Sequence, residues 1–78
     1  MPTVLRVNGY RFFFFSNEEG KPKHVHVEKA ESYAKFWIEP IELEASRGFN
    51  SSELKEVQES IIKNINLLTC KWDEHFSQ

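Results

Sequence analysis

The spacing of apolar residues changes at Asn50, and this change constrains the fold more than any other feature of the sequence. Before Asn50, apolar and polar residues alternate in short runs rich in Val, Phe, Tyr and Trp, which is typical of β-strands. From Leu54 to Phe76, apolar residues recur every three or four positions, which is typical of one face of a helix. The pattern therefore predicts an α+β domain, with a sheet first and a helix second.

The dipeptide Asn8-Gly9 predicts a hairpin near the N-terminus. It separates two β-rich runs, and Asn and Gly both tolerate the positive φ that a type I′ turn requires. The expected cross-strand neighbours are Val7 with Tyr10, Arg6 with Arg11, Leu5 with Phe12, and Val4 with Phe13.

Two further strands are expected at His24–Glu28 and Tyr33–Glu39. Asn17–Pro22 is predicted to be a polar loop, and Pro40 should end regular pairing because it has no backbone donor. Residues 41–49 form a connector that fits a short helical turn, an extended edge or a loop closing at Gly48.

The C-terminal segment is predicted to be one long helix over residues 50–76. Asn50 and Glu53 have the spacing of a capping box, and Ser51 and Ser52 suit the helix start. The expected apolar stripe packs on Phe12, Phe14 and Phe36 and comprises Leu54, Val57, Ile61, Ile65, Leu68, Trp72 and Phe76. We therefore expect one domain, residues 1–78, with a four-stranded, mainly antiparallel meander (1–40), the connector and one helix.

Strand alternation predicts which side chains share each face of the sheet. The face toward the helix should carry Leu5, Val7, Tyr10, Phe12, Phe14, Val25, Val27, Ala34, Phe36 and Ile38. The opposite face should carry Val4, Arg6, Arg11, Phe13, Phe15, His24, His26, Glu28, Tyr33, Lys35 and Trp37. Aromatic residues interleaved with Arg, Lys and His can stack on bases and contact phosphate, and they are also common in protein interfaces.

His24 and His26 are the candidate catalytic residues, because histidine is a general acid or base near neutral pH. The alternative is a polar strand face whose histidines only pack. A metal site would need a third ligand, such as Glu28 or His75, and we expect neither a metal nor a cofactor. Cys70 is expected to pack within the helix.

Arg6 is expected to face Arg11, and like charges directly across a strand pair are destabilising unless they are compensated. Glu28 could supply the compensation, and so could a nucleic acid or an acidic protein. The candidate binding residues for RNA or a partner are Arg6, Arg11, Lys35, Phe13, Phe15, Tyr33 and Trp37.

Composition limits the remaining classes of function. The net charge of −2 gives no global basicity for nucleic-acid binding. The single cysteine permits no intrachain disulfide, and no apolar leader or membrane-length run is present, so we expect a soluble, cytoplasmic protein. Exposed Phe13, Phe15 and Trp37 would favour a homodimer or a partner complex. No nucleotide-binding glycine motif occurs.

Five segments of the chain resemble a family of short bacterial proteins: Pro2–Arg6, Gly9–Phe14, Pro22–Val27, Ala34–Trp37 and Gly48–Phe49. This family is catalogued as a domain of unknown function, number four-one-six-zero. The resemblance implies one half of a two-gene module, beside a second small protein, of the kind suspected to be toxin–antitoxin pairs. Two hypotheses follow: a toxin-like protein acting on RNA, with ribonuclease-like chemistry at the histidines, or a non-enzymatic protein-binding module.

Overall fold

The computed structural model describes residues 3–15 and 22–76, and within them the chain forms five strands followed by two helices. The elements are β1 (Thr3–Val7), β2 (Tyr10–Phe13), β3 (His24–Lys29), β4 (Ser32–Ile38), β5 (Ile41–Arg47), α1 (Ser51–Lys63) and α2 (Ile65–Phe76). The strands pair antiparallel in chain order. The α+β class and the antiparallel sheet are confirmed, whereas four strands and one long helix are wrong. Most of the predicted loop at Asn17–Pro22 lies outside the described residues.

The Asn8-Gly9 turn forms as predicted, with φ of 52° at Asn8 and 85° at Gly9. Three of the four expected pairs are present, but Thr3, and not Val4, faces Phe13. The register shifts between Thr3 and Leu5, so Val4 is the extra residue of a bulge. A turn fixes the register of the residues beside it, and this bulge lies at the far end of the strand.

The connector takes the extended-edge form and becomes β5, which pairs with β4. Pro40 lies in the turn between the two strands. Gly48 then turns the chain toward α1 with φ of 90°, and a Cβ there would lie 2.6 Å from Ser32 Oγ. Only glycine fits this close approach without displacing Ser32.

The predicted single helix is interrupted at Asn64. Asn64 Nδ2 donates a hydrogen bond of 2.8 Å to the Ser60 carbonyl, which also accepts the Asn64 backbone N–H at 3.1 Å. An asparagine side chain that competes for backbone acceptors in this way disfavours regular helix. Neither α1 nor α2 combines the length and apolar content that a membrane-crossing helix needs.

The helices pack on one face of the sheet and form the core with it. Val57, Ile61, Leu68 and Trp72 are buried, as predicted. Leu54, Ile65 and Phe76 are only partly buried against the same cluster. Their sheet-side neighbours are Tyr10, Phe12, Phe14, Val25, Val27, Ala34, Phe36 and Ile38, all of them buried.

Candidate functional site

The sheet face turned away from the helices, here called the outer face, carries the predicted strand residues of the candidate site. One row runs across all five strands through the paired residues Arg6, Arg11, Glu28, Tyr33 and Arg47. A second row pairs Phe13 with His26 and Lys35, and a third pairs His24 with Trp37 and Glu42. Phe15 follows β2 and joins this face through ring contacts with Phe13 and His26. The sheet therefore brings the predicted site residues together.

Arg11 is held by groups on both neighbouring strands. Its Nη1 lies 2.6 Å from Glu28 Oε1, and its Nε donates to Thr3 Oγ1 at 2.7 Å. Its guanidinium also lies 4.4 Å from the centre of the Phe13 ring. Three groups could compensate the charges of the facing Arg6 and Arg11. The structure contains the internal one, the carboxylate of Glu28.

Arg6 differs from Arg11 because it has no ion-pair partner within residues 3–15 and 22–76 and is exposed. It lies on β1, directly opposite Arg11. Arg6 is thus a cation of the outer face that remains accessible to an anionic ligand.

His24 is fully buried, at 0% exposure. Its Nδ1 donates a hydrogen bond of 2.8 Å to the Pro22 carbonyl, because a carbonyl oxygen can only accept. The Trp37 and Trp72 rings meet it edge to face, at centroid distances of 5.8 and 5.0 Å.

His26 is also buried, at 3% exposure. Its Nδ1 and the Tyr33 hydroxyl are hydrogen-bonded at 2.6 Å. The Phe13 ring stacks on it at 5.4 Å, and Phe15 lies 4.4 Å away. Phe13 itself is 3% exposed, so the expectation of an exposed Phe13 is wrong: it packs on the imidazole beside it.

The accessible part of the outer face includes two cations that lie on half-buried aromatic rings, beside the exposed Glu42. Lys35 Nζ is 4.7 Å from the centre of the Trp37 ring, and the Arg47 guanidinium is 6.0 Å from that of Tyr33. Contacts of this kind hold a cation in place over an aromatic surface. Arg47 was missed from the sequence, although the alternation of Ile41 and Leu43 with Glu42 was a signal for the strand that carries it.

A second polar contact lies on the helix side of the sheet. The hydroxyl of Tyr10, whose ring is buried, donates a hydrogen bond of 2.7 Å to Oε1 of the exposed Glu56 on α1. Burial, followed by the hydrogen bond to Glu56, raises the pKa of Tyr10 to about 12. This contact ties the hairpin to α1.

No group of three or more His, Cys, Asp or Glu side chains that could hold a metal ion occurs within the described ranges. Glu28 pairs with Arg11, and the His75 ring lies beside Phe14 and Phe76. Cys70 was expected to pack within the helix but is exposed, with Sγ 3.5 Å from a Glu74 carboxylate oxygen. It lies on the solvent side of α2 because the packed stripe runs through Leu68 and Trp72.

The fold and the outer face define a small α+β domain, an antiparallel five-stranded meander backed by two helices. Residues 9–73 match the model of the family described as a domain of unknown function (DUF4160), and the chain belongs to that family. Neither the curated proteins nor the solved structures compared with the chain gave a match.

Proposed function

We propose that this protein is a non-enzymatic binding module of a bacterial two-gene toxin–antitoxin pair. Its outer face binds an acidic surface of the small cognate protein encoded beside it. The observation that carries the proposal is the division of this face, in which Arg6 and Arg47 are exposed and Lys35 is half-buried, whereas both imidazoles are buried. The lone cysteine suits the cytoplasm, where thiols stay reduced.

The burial of both histidines supports binding over catalysis. A general acid or base must come within hydrogen-bond reach of the proton that it transfers. His24 and His26 are 0% and 3% exposed, and aromatic rings pack against both. A structural role for these imidazoles, in fixing the aromatic cluster, accounts for the same contacts.

The accessible residues of the face suit a protein interface. Arg6 is exposed, and Lys35 and Trp37 are held against each other. Arginine, tyrosine and tryptophan are the residues that most often dominate binding energy at such interfaces. Charge complementarity with an acidic partner would fix the orientation of the complex and raise its association rate.

A toxin-like role on RNA is the second candidate function. The pairing of cations with half-buried Tyr33 and Trp37 favours it, because single-stranded nucleic acids bind through stacking and phosphate contacts together. Such binding would weaken steeply with salt and show little sequence preference. RNA cleavage is not part of either candidate function, and RNA incubated with the protein should remain intact.

Titration of the purified neighbouring protein and, separately, of single-stranded RNA tests the proposal. Arg6→Glu should weaken the protein complex about tenfold or more, because it places an anion against an acidic surface. Lys63→Glu is the matched control, since it makes the same charge change at an exposed position on α1. That control should leave the complex intact.

Each outcome of the two titrations has a definite meaning. Loss of protein binding with Arg6→Glu alone supports the proposal. Loss of RNA binding with unchanged protein binding overturns it in favour of the second candidate. Equal binding by the wild type and Arg6→Glu in both titrations removes the outer face as a binding site.

A further inference from the structure

Strand β5 is an open edge of the sheet. It is seven residues long, pairs with β4 alone among the described strands, and is exposed from Glu42 to Arg47. The backbone groups of an edge strand form a ready template for another strand. The other edge, β1, is five residues long. Each edge strand carries one register irregularity, near the start of β1 and at Glu44 of β5, where the pairing shifts between Lys35 and Phe36 of β4.

An apolar groove runs beside this edge, between β5 and α1. Its volume is about 450 Å³, and its apolar lining comes from Phe36, Leu43, Leu54 and Ile62. Leu43 is 40% exposed and Ile62 is 51% exposed, so two large apolar side chains meet water next to the open strand.

We propose that two copies of this chain associate through β5, which pairs antiparallel with β5 of the second copy to form one continuous sheet. Two of the three charged residues of β5 suit this pairing, and the third, Glu44, then lies beside the two-fold axis and faces Ala45 of the second copy. Glu42 lies near one end of the strand and Arg47 at the other, and an antiparallel two-fold pairing brings opposite ends together. Glu42 of each copy then faces Arg47 of the other, so symmetry makes this ion pair twice.

The faces of the strand fix this register, because the bulge at Glu44 puts Glu42 and Arg47 on the same face although they are five positions apart. Glu42 and Arg47 both lie on the outer face, opposite Trp37 and Tyr33 of β4. In the same register Leu43 faces Ser46 of the second copy, and both lie on the helix face. A shift by one residue would set Glu42 against Ser46 on the wrong face of the sheet.

The same pairing covers the groove. A two-fold axis perpendicular to the sheet places both α1 helices on the same side, so that the two grooves meet at the seam. Leu43 and Ile62 of each copy then lose contact with water, which stabilises the dimer in proportion to the apolar area buried. One assembly thus accounts for the open edge, the exposure of Leu43 and Ile62, and the opposite charges of Glu42 and Arg47.

Sedimentation equilibrium of charge variants tests this dimer. The wild type should dimerise, and Glu42→Arg or Arg47→Glu should each weaken the dimer about tenfold, because both ion pairs become like-charge pairs. The double variant, Glu42→Arg with Arg47→Glu, restores opposite charges and should return the dissociation constant to near the wild-type value. Rescue by the second substitution cannot arise from misfolding.

Arg6→Glu is the control, because it makes the charge change of Arg47→Glu at the opposite edge of the sheet. Arg6→Glu should leave the dimer unchanged while weakening the complex with the neighbouring protein. A failure of the dimer proposal can therefore be distinguished from a failure of the proposed function. A wild type that stays monomeric up to millimolar concentration overturns the dimer. A double variant no tighter than the single variants overturns the register.

Discussion

Arg11 shows how far a single contact could be predicted from the sequence. The Asn8-Gly9 turn fixed its position opposite Arg6, and strand alternation placed Glu28 on the same face. The ion pair at 2.6 Å confirms the internal carboxylate. The burial of Phe13 could not be predicted in this way, because it depends on packing against His26, which alternation alone does not determine.

The Arg11–Glu28 pair should contribute a small, salt-dependent stability. Glu28→Gln should lower the free energy of unfolding by about 0.5–1 kcal/mol, because Arg6 and Arg11 then face each other without a carboxylate. The loss should shrink at high salt, which screens the repulsion. Urea unfolding at low and high salt measures it, with Glu31→Gln in the β3–β4 turn as the control. An equal loss at both salt concentrations would contradict an electrostatic cause.

Tyr10 should make stability depend on alkaline pH. Its pKa rises from 10.0 to about 12 in the folded chain, so its contribution is complete below pH 10. Between these values the unfolded chain releases the proton and the folded chain keeps it, so stability falls as pH rises. Tyr10→Phe should remove this part of the pH dependence and, by losing the hydrogen bond, cost about 1 kcal/mol at neutral pH.

The measurement is denaturant unfolding of the wild type and Tyr10→Phe from neutral to alkaline pH. An ultraviolet titration of tyrosinate should also show the high-pKa group disappear in the variant. Identical slopes of stability against pH for the two proteins would show that Tyr10 ionises alike in the folded and unfolded states.

At the scale of elements, local signals predicted where helix and hairpin begin, and long-range packing decided the rest. The Asn50 side chain accepts from the Glu53 backbone N–H at 2.8 Å, as the capping box predicts. The apolar spacing, however, continues through Asn64 and gave no sign of the interruption there. The fifth strand was one of three conformations that the sequence allowed for residues 41–49, because no clear turn signal distinguishes between them.

The helix face can be tested with two isoleucines. Ile61 is fully buried and Ile65 only partly buried. Ile61→Ala should therefore cost about 2–5 kcal/mol, and Ile65→Ala at most about half as much. Urea unfolding of both variants measures the difference. A larger loss at Ile65 would mean that α2 presents a different face to the sheet.

At the scale of the whole molecule, the two faces of the sheet differ in their composition and packing. The helix face makes the core, and the outer face combines a buried aromatic and histidine cluster with accessible cations at Arg6 and Lys35. Sequence alternation placed most residues on the correct faces. The placement of Val4 is wrong, because the bulge turns it toward the core, and His24 also contacts Trp72 of α2. Alternation could not distinguish the accessible side chains of the outer face from the buried ones, because their burial depends on how aromatic rings of neighbouring strands pack together.

The most direct test of the central claim is to map backbone amide chemical shifts as the neighbouring protein is added. If the outer face is the binding surface, the largest changes should follow the rows that contain Arg6, Lys35 and Trp37. Amides on the exposed side of α1, such as that of Lys63, should change little. Changes confined to α1 and α2, with the outer face unaffected, would contradict the account.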